Sequence, residues 1–307
     1  MPISGNAGQR RASARNTAAV VRLDGIHKTY GTVRALSGLD VTLAAGEIHA
    51  FLGANGAGKT TAIGIMTGLR RADSGAVQVL GGDPRDVAVR RRIGLTPQES
   101  GFPNNLRVSE IIRLVRAHYA TPLSDADLFA RFPLQTVWRR QAGGLSGGQK
   151  RILAVALAFV GNPDLVFLDE PTTGLDVTAR QALWQAVLSY RNSGGTAVLT
   201  THYLEEAEAL ATRTVVMCKG RAVAEGTVDE IRARVGQSRI TYRGEAREGL
   251  PGVTRMERIG DEVAILAYDA DAVVRALVTH GVTFSELQIR PASLEEAFVT
   301  ITEGSIN

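Results

Sequence analysis

From Ala19 to Gly53 the chain sets short β-branched and apolar runs between glycine and polar breaks, as in AVVRLDGIHKTYG, SGLDVTLAAGE and EIHAFLG. That spacing predicts strands. KTTAIGIMTGL then has helical spacing and ends in Gly-Leu, and GAVQVLGG reads as another strand with a turn. Between about 105 and 160 the character changes, and VSEIIRLVRAHYA, SDADLFARF and GGQKRILAVALAFV predict successive helices. LVFLDE is an apolar strand that ends in two carboxylates. A capped helix (VTARQALWQAVLSYRNSGG), a strand (TAVLTTH), a helix (YLEEAEALAT) and a hairpin turning at Lys219-Gly220 follow. TVDEIRARVG carries a Thr227 to Glu230 capping box. Near 237 the regularity resets, and EVAILAY, ADAVVRALVTHG, SELQIR and SLEEAFVTIT predict a small strand–helix–strand–helix unit, with Ser293 and Glu296 capping its last helix.

Residues 1–18 are small, polar and basic, and are expected to form a disordered arm. They also locate the charge. The net +4 equals Arg10, Arg11, Arg15 and Arg22, which all precede the first acid, Asp24. The rest of the chain is near neutral, so total charge gives no support for a nucleic-acid-binding face. The length of 307 residues suits one large domain plus a smaller one, and 44% hydrophobic with 21% charged residues is ordinary globular composition. The single cysteine, Cys218, allows no internal disulfide and is expected in the core. No apolar run approaches the ~18 residues of a membrane span, and no apolar segment follows the N-terminal arginines as in a secretory signal. If the protein works at a membrane, another chain is expected to supply the spanning part.

The chemistry concentrates in glycine-rich turns. GANGAGKT, Gly53 to Thr60, fits the phosphate-loop pattern, with a predicted strand before it and a helix after. Its glycines (Gly53, Gly56, Gly58) allow a backbone whose N–H groups converge on phosphate oxygens, and the helix start adds its positive dipole end. Lys59 is expected to reach the β- and γ-phosphates, and the Thr60 hydroxyl to hold Mg²⁺. Asp169 at the end of LVFLDE is placed to hold Mg²⁺, and Glu170 to face the γ-phosphate and polarise a water. A second glycine-rich turn, GGLSGGQKR, also leads straight into a helix. Ser146, Gly147 and Gly148 there make an anion site with no catalytic side chain. Two phosphate cradles for one nucleotide suggest that they need not belong to the same molecule.

With the phosphate loop and LVFLDE, the LSGGQ of this turn resembles the nucleotide-binding subunit of ATP-binding cassette (ABC) transporters, over about residues 20–237. The resemblance implies an α/β P-loop NTPase cassette with a mixed-sheet core, an antiparallel β subdomain and a helical subdomain at about 99–160. It implies domains at 19–236 and 237–307, the second a small α+β unit for dimerisation or regulation. In that family two cassettes pair head to tail, with ATP between the phosphate loop of one and the LSGGQ of the other. Asn55, Ala57 and Thr61 in the first loop, and Gln149 in the second, then join the nucleotide-binding set. The remaining motifs match in order. Tyr30 in KTYG corresponds to the residue that stacks on adenine. Gln98 in LTPQE corresponds to the sensor of Mg²⁺ and the attacking water. Asp176 in TTGLD corresponds to the loop that crosses the dimer interface, and His202 to the histidine on the γ-phosphate. Taken singly, Tyr30 also reads as a strand aromatic, Gln98 as a surface polar residue and His202 as a strand-end cap. His27, His49, His118 and His280 match nothing and read as structural, and Trp138 and Trp184 as packing or interface residues.

The C-terminal unit ending in PASLEEAFVTITEG is similar to that of the drug- and polysaccharide-export ATPases of the daunorubicin-resistance type, which implies an exporter of the drug, lipid or polysaccharide type. The resemblance implies a competent ATPase using ATP and Mg²⁺. It also implies a homodimer or paired cassette, a separately encoded permease docked near Gln98 to Val115, and a place on the cytoplasmic face of the cell membrane. The alternative is a soluble cassette ATPase acting on nucleic acid or ribosomes, which usually has two cassettes or a long coiled-coil insertion.

Overall fold

Alternating burial along the first strands shows why they form a sheet with one face inward. In the computed structural model, which describes residues 19–99 and 101–304, β1 (Ala19–Tyr30) pairs antiparallel with β2 (Val33–Ala44). Val21, Leu23 and Ile26 are buried opposite Leu43, Val41 and Leu39. The arm expected at 1–18 lies outside the described residues. The chain divides into two units, one through Val223 and one from Ala224.

In the first unit, β3 (Ile48–Leu52) is buried at every position and leads through the glycine-rich loop into α1 (Lys59–Met66). β4 (Ser74–Val79) adds to the other edge of β1, giving an antiparallel sheet in the order β2-β1-β4. A single helical turn, α2 (Val87–Arg90), precedes β5 (Ile93–Thr96), a strand that the sequence reading passed over. Three helices follow where helical spacing predicts them: α3 (Val108–Arg116), α4 (Asp125–Arg131) and α5 (Gly147–Phe159). Short 3₁₀ turns at Gln135–Val137 and Ala142–Gly144 join the last two. Trp138 packs edge-on against Phe129 at 4.8 Å.

β6 (Leu165–Asp169), α6 (Val177–Asn192), β7 (Thr196–Thr201), α7 (Leu204–Leu210) and β8 (Arg213–Cys218) complete the α/β core. Phe159 of α5 sits 5.2 Å from Phe132 and 5.1 Å from Tyr190 of α6, tying the helices together. The central sheet runs β5-β6-β7-β3-β8-β9, where β9 is Arg221–Gly226, and its pairs from β5 through β8 are parallel. Strands β3, β6 and β7 are wholly buried, as a parallel sheet covered on both faces requires. β8 turns into β9 at Lys219 (φ 47) and Gly220 (φ 77), the paired positive angles of a two-residue hairpin turn. Cys218, expected in the core, is only half-buried because it closes β8 at this turn. Among the described residues no helix is long and apolar enough to cross a membrane.

The second unit starts inside β9, earlier than the boundary read at 236/237. Its first helix, α8 (Val228–Arg234), is capped by Thr227 and Glu230 as the sequence predicts. It packs on the last helix, α10 (Leu294–Gly304), and so belongs with this unit. Between them lie β10 (Ser238–Gly244), β11 (Val253–Ile259), β12 (Glu262–Ala267), α9 (Ala270–Thr279) and β13 (Phe284–Pro291). They form an antiparallel sheet in the order β11-β12-β10-β13 over a core of Ile240, Tyr242, Val263, Ile265, Val273 and Leu277. The expected strand–helix–strand–helix captures β12, α9, β13 and α10, and misses β10 and β11. β11 (VTRMERI) is an edge strand with no fully buried position, so it carries little of the apolar alternation that marks a strand.

Candidate functional site

Strand order creates the site. β7 lies between β3 and β6, and the register places Phe51, Thr200 and Asp169 in one row across the three strands. The loop after β3 and the carboxylates after β6 therefore meet over the end of β7. Around this point an open cleft of about 310 Å³ is lined by Asn55, Gly56, Ala57, Gly58, Lys59, Thr60 and Thr61, with Gln98 and Glu170 opposite. Val33, which pairs with Tyr30 in the β1–β2 register, stands at its rim.

The loop conformation depends on particular glycines. Gly58 has φ 103, and a Cβ there would lie 2.5 Å from the Ala35 carbonyl oxygen. Gly53 is buried at the base, where a Cβ would lie 2.8 Å from both Met217 O and Ala57 Cβ. Only glycine fits both places. Lys59 Nζ folds into the loop, donating to Gly53 O at 2.7 Å and Ala54 O at 3.1 Å. Burial pushes this ammonium below the usual lysine range, while the Glu170 and Asp169 carboxylates oppose the shift. The result is a convergent positive site at a helix start, fit for a polyphosphate.

Thr60 Oγ1 donates to Asp169 Oδ1 at 3.3 Å. A hydroxyl and a carboxylate oxygen side by side are hard ligands that suit Mg²⁺, which is commonly held by one or two protein oxygens together with substrate phosphates. Thr200 Oγ1 also donates to Asp169 Oδ1 and accepts from the Glu170 amide at 3.1 Å. Glu170 itself has φ 49, a left-handed backbone uncommon for a non-glycine residue. Its side chain is surrounded: Gln98 Nε2 lies 3.4 Å and Thr173 Oγ1 3.5 Å from Oε2, and His202 Nδ1 lies 3.2 Å from Oε1. A nine-tenths-buried carboxylate fixed by three neighbours at the mouth of a phosphate cleft can orient or deprotonate a water.

The other predicted residues do not line this cleft. Ser146 is the N-cap of α5: its Oγ accepts from Gln149 N at 3.2 Å, and Gln149 Oε1 accepts from Ser146 N at 3.1 Å. Ser146 and Gly147 are exposed, and Gly148 faces Gly174 and Leu175. Asp176 caps α6, accepting from Ala179 N at 2.8 Å. Tyr30 is 39% exposed and receives a hydrogen bond from Arg70 Nη1 at 2.5 Å. The LSGGQ turn is thus a second, open helix start that meets neither the Asp169 nor the Glu170 carboxylate through its own side chains.

Sequence reasoning missed Thr200, Thr173 and Arg151. Thr200 had a signal, a hydroxyl in an otherwise apolar buried strand. Arg151 had none, because its helix position does not reveal that its side chain turns inward to the backbone of Pro97, Gln98, Asp169, Glu170 and Pro171.

Comparison with known proteins agrees with this geometry. The ABC transporter family profile matches residues 36–173. A daunorubicin resistance ATP-binding protein of Streptomyces coeruleorubidus is 38% identical, over 92% of this chain and 95% of its own. A Nod factor export ATP-binding protein of Cupriavidus metallidurans is 34% identical, over 92% and 97%. Among solved structures, an ATP-binding subunit of an ABC transporter superposes with a TM-score of 0.65 at 29% identity, covering 71% of this chain and 93% of that one. A dimeric cassette bound to ADP and Pi shares the fold, with a TM-score of 0.61 at 24% identity, covering 67% and 98%. A phosphate loop facing a fixed carboxylate, on a chain matched over 92% of its length by such relatives, establishes the class: this protein belongs to the ATP-binding, ATP-hydrolysing subunits of ABC transporters.

Proposed function

We propose that this chain energises an export transporter by closing head to tail with a second cassette on ATP. The carrying observation is that the chain has two open helix starts suited to phosphate, Gly53–Thr60 before α1 and Ser146–Gln149 before α5, and only the first faces Glu170. A complete site then takes the first from one chain and the second from another. Lys59 holds the β- and γ-phosphates, Tyr30 stacks on adenine, and Glu170 orients or deprotonates the attacking water. His202 braces Glu170 and reaches the γ-phosphate. Ser146 and Gly148 of the facing cassette complete the cradle, and Asp176 lies in the loop between the two chains. Bound Mg²⁺ supplies charge neutralisation on the phosphate oxygens, with Thr60 and Asp169 as its holders and Gln98 alongside.

The relatives that carry drug-resistance and Nod factor export names support transport out of the cell, with a separate permease and a peripheral place at the cytoplasmic face of the membrane. Permease docking is assigned to the Gln98–Val115 region, where Leu114 on α3 is 60% exposed. The C-terminal unit from Ala224 is assigned to dimer support or regulation.

The direct test is Glu170→Gln. The variant should form a dimer with ATP by light scattering and lose at least ~100-fold in turnover. Wild-type turnover in that variant would move the water-activating role to another residue.

A further inference from the structure

The LSGGQ helix is fastened to the catalytic residues of its own chain by one side chain. Arg151 lies on α5 just beyond Gln149 and is 8% exposed. Its Nε donates to Pro171 O at 3.0 Å. Nη1 donates to Pro97 O at 2.9 Å and Gln98 O at 3.0 Å. Nη2 donates to Asp169 O and, at 2.7 Å, to Glu170 O. A guanidinium has five N–H donors, and here all are spent on backbone carbonyls. No carboxylate is consumed. Burial pushes the guanidinium below its usual range, and the charges of Asp169, Glu170 and Glu206 partly offset this from a distance without their side-chain oxygens being taken by it. One of the gripped carbonyls belongs to Glu170, whose left-handed backbone is the kind of conformation that persists only where its surroundings enforce it.

We propose that Arg151 is a positioning residue that couples the two ATP sites of the dimer. This rests on the head-to-tail reading. When the γ-phosphate on a facing cassette engages the first turn of α5, any shift of that helix is delivered through Arg151 to the backbone of Gln98 and Glu170. Those two side chains serve the ATP held by the same chain's own phosphate loop. Occupancy of one site thereby sets the catalytic geometry of the other. A helix can shift by an ångström or two at such an interface, and a rigid planar fork transmits the shift where a flexible ammonium does not.

The test compares wild type with Arg151→Lys, which keeps the buried charge and loses the fork. Steady-state ATPase should show positive cooperativity in wild type. Arg151→Lys should lose ~10-fold or more in kcat with KM changed less than ~2-fold, and its Hill coefficient should fall to 1. A clamp that only stabilised the fold would lower the active fraction and leave the Hill coefficient unchanged, and that result overturns the proposal. A second measurement does not depend on how Arg151→Lys folds. Linked dimers with Ser146→Arg on one chain and a wild-type partner should hydrolyse well below half the wild-type rate, whereas a rate of one half, the value for independent sites, overturns the coupling. Light scattering of Glu170→Gln with ATP separates the underlying reading. With no ATP-driven dimer the head-to-tail arrangement falls and takes the coupling with it. A dimer with unchanged cooperativity in Arg151→Lys overturns the coupling alone.

Discussion

His202 Nδ1 stands 3.2 Å from Glu170 Oε1, joining the residue after β7 to the residue after β6. The neighbouring strand tips are thereby joined at the point where the proposed mechanism holds its water. His202→Ala should lower kcat by ~10²–10³-fold while ATP binding changes little, because the interaction is used in the transition state. Steady-state kinetics with a separate fluorescent-nucleotide titration checks this. A rise in KM alone would assign His202 to ground-state binding.

The glycines of the phosphate loop should differ in cost. Gly58→Ala meets both a positive φ of 103 and the Ala35 carbonyl at 2.5 Å, whereas Gly56→Ala has φ 82 and open space. Gly58→Ala should lose more than ~1 kcal/mol of stability and most nucleotide affinity, with Gly56→Ala milder on both counts. Thermal unfolding and nucleotide titration of the two variants measure the order.

Tyr30 tests the adenine contact. Its ring is exposed, with the Arg70 guanidinium 5.3 Å from its centroid and bonded to its hydroxyl. Tyr30→Phe keeps the stacking face and should leave KM for ATP near wild type. Tyr30→Ala should weaken ATP by about 1–3 kcal/mol, the scale of base–aromatic stacking. Equal effects of the two changes would point to the hydroxyl instead.

Glu206 predicts a pH dependence of stability. It is 0% exposed on α7, with Thr201, Thr172 and Trp184 as polar neighbours, yet no donor reaches either oxygen in hydrogen-bond geometry. Burial pushes its carboxyl above the usual range, partly offset by those neighbours and by Arg180. The folded state therefore holds the proton more tightly than the unfolded state. Stability falls as pH rises from the unfolded value of about 4.3 through the raised folded one. Glu206→Gln removes that loss, so its Tm advantage over wild type should grow from pH 5 to pH 8. An equal difference at both pH values would contradict the buried-acid account.

The cassette was legible because its chemistry is local in sequence. A loop such as Gly53–Thr60 sits between a fully apolar strand and a helix, and both flanks show in the residues. Asp169 and Glu170 were readable at the end of LVFLDE, whereas His202 joined them only through resemblance, since that grouping depends on β7 lying beside β6. Thr200 and Arg151 act through side-chain direction and backbone carbonyls, which no spacing rule encodes. β10 and β11 were missed for a related reason: a small sheet with a polar edge strand buries too few residues to show an apolar period. The early boundary at Ala224 follows from α8 packing on α10, a contact between segments far apart in the chain.

The central claim is that each ATP lies between Lys59 of one chain and Ser146 of another. It is tested most directly in covalently linked dimers built on Glu170→Gln, with ATP retained after rapid desalting as the readout. Lys59→Ala on one chain and Ser146→Arg on the other should spoil the same site and leave one retained ATP per dimer. Both changes on one chain should spoil both sites and leave none. The reverse pattern, none for opposite chains and one for the same chain, would mean that each site is built within a single chain and would contradict the account.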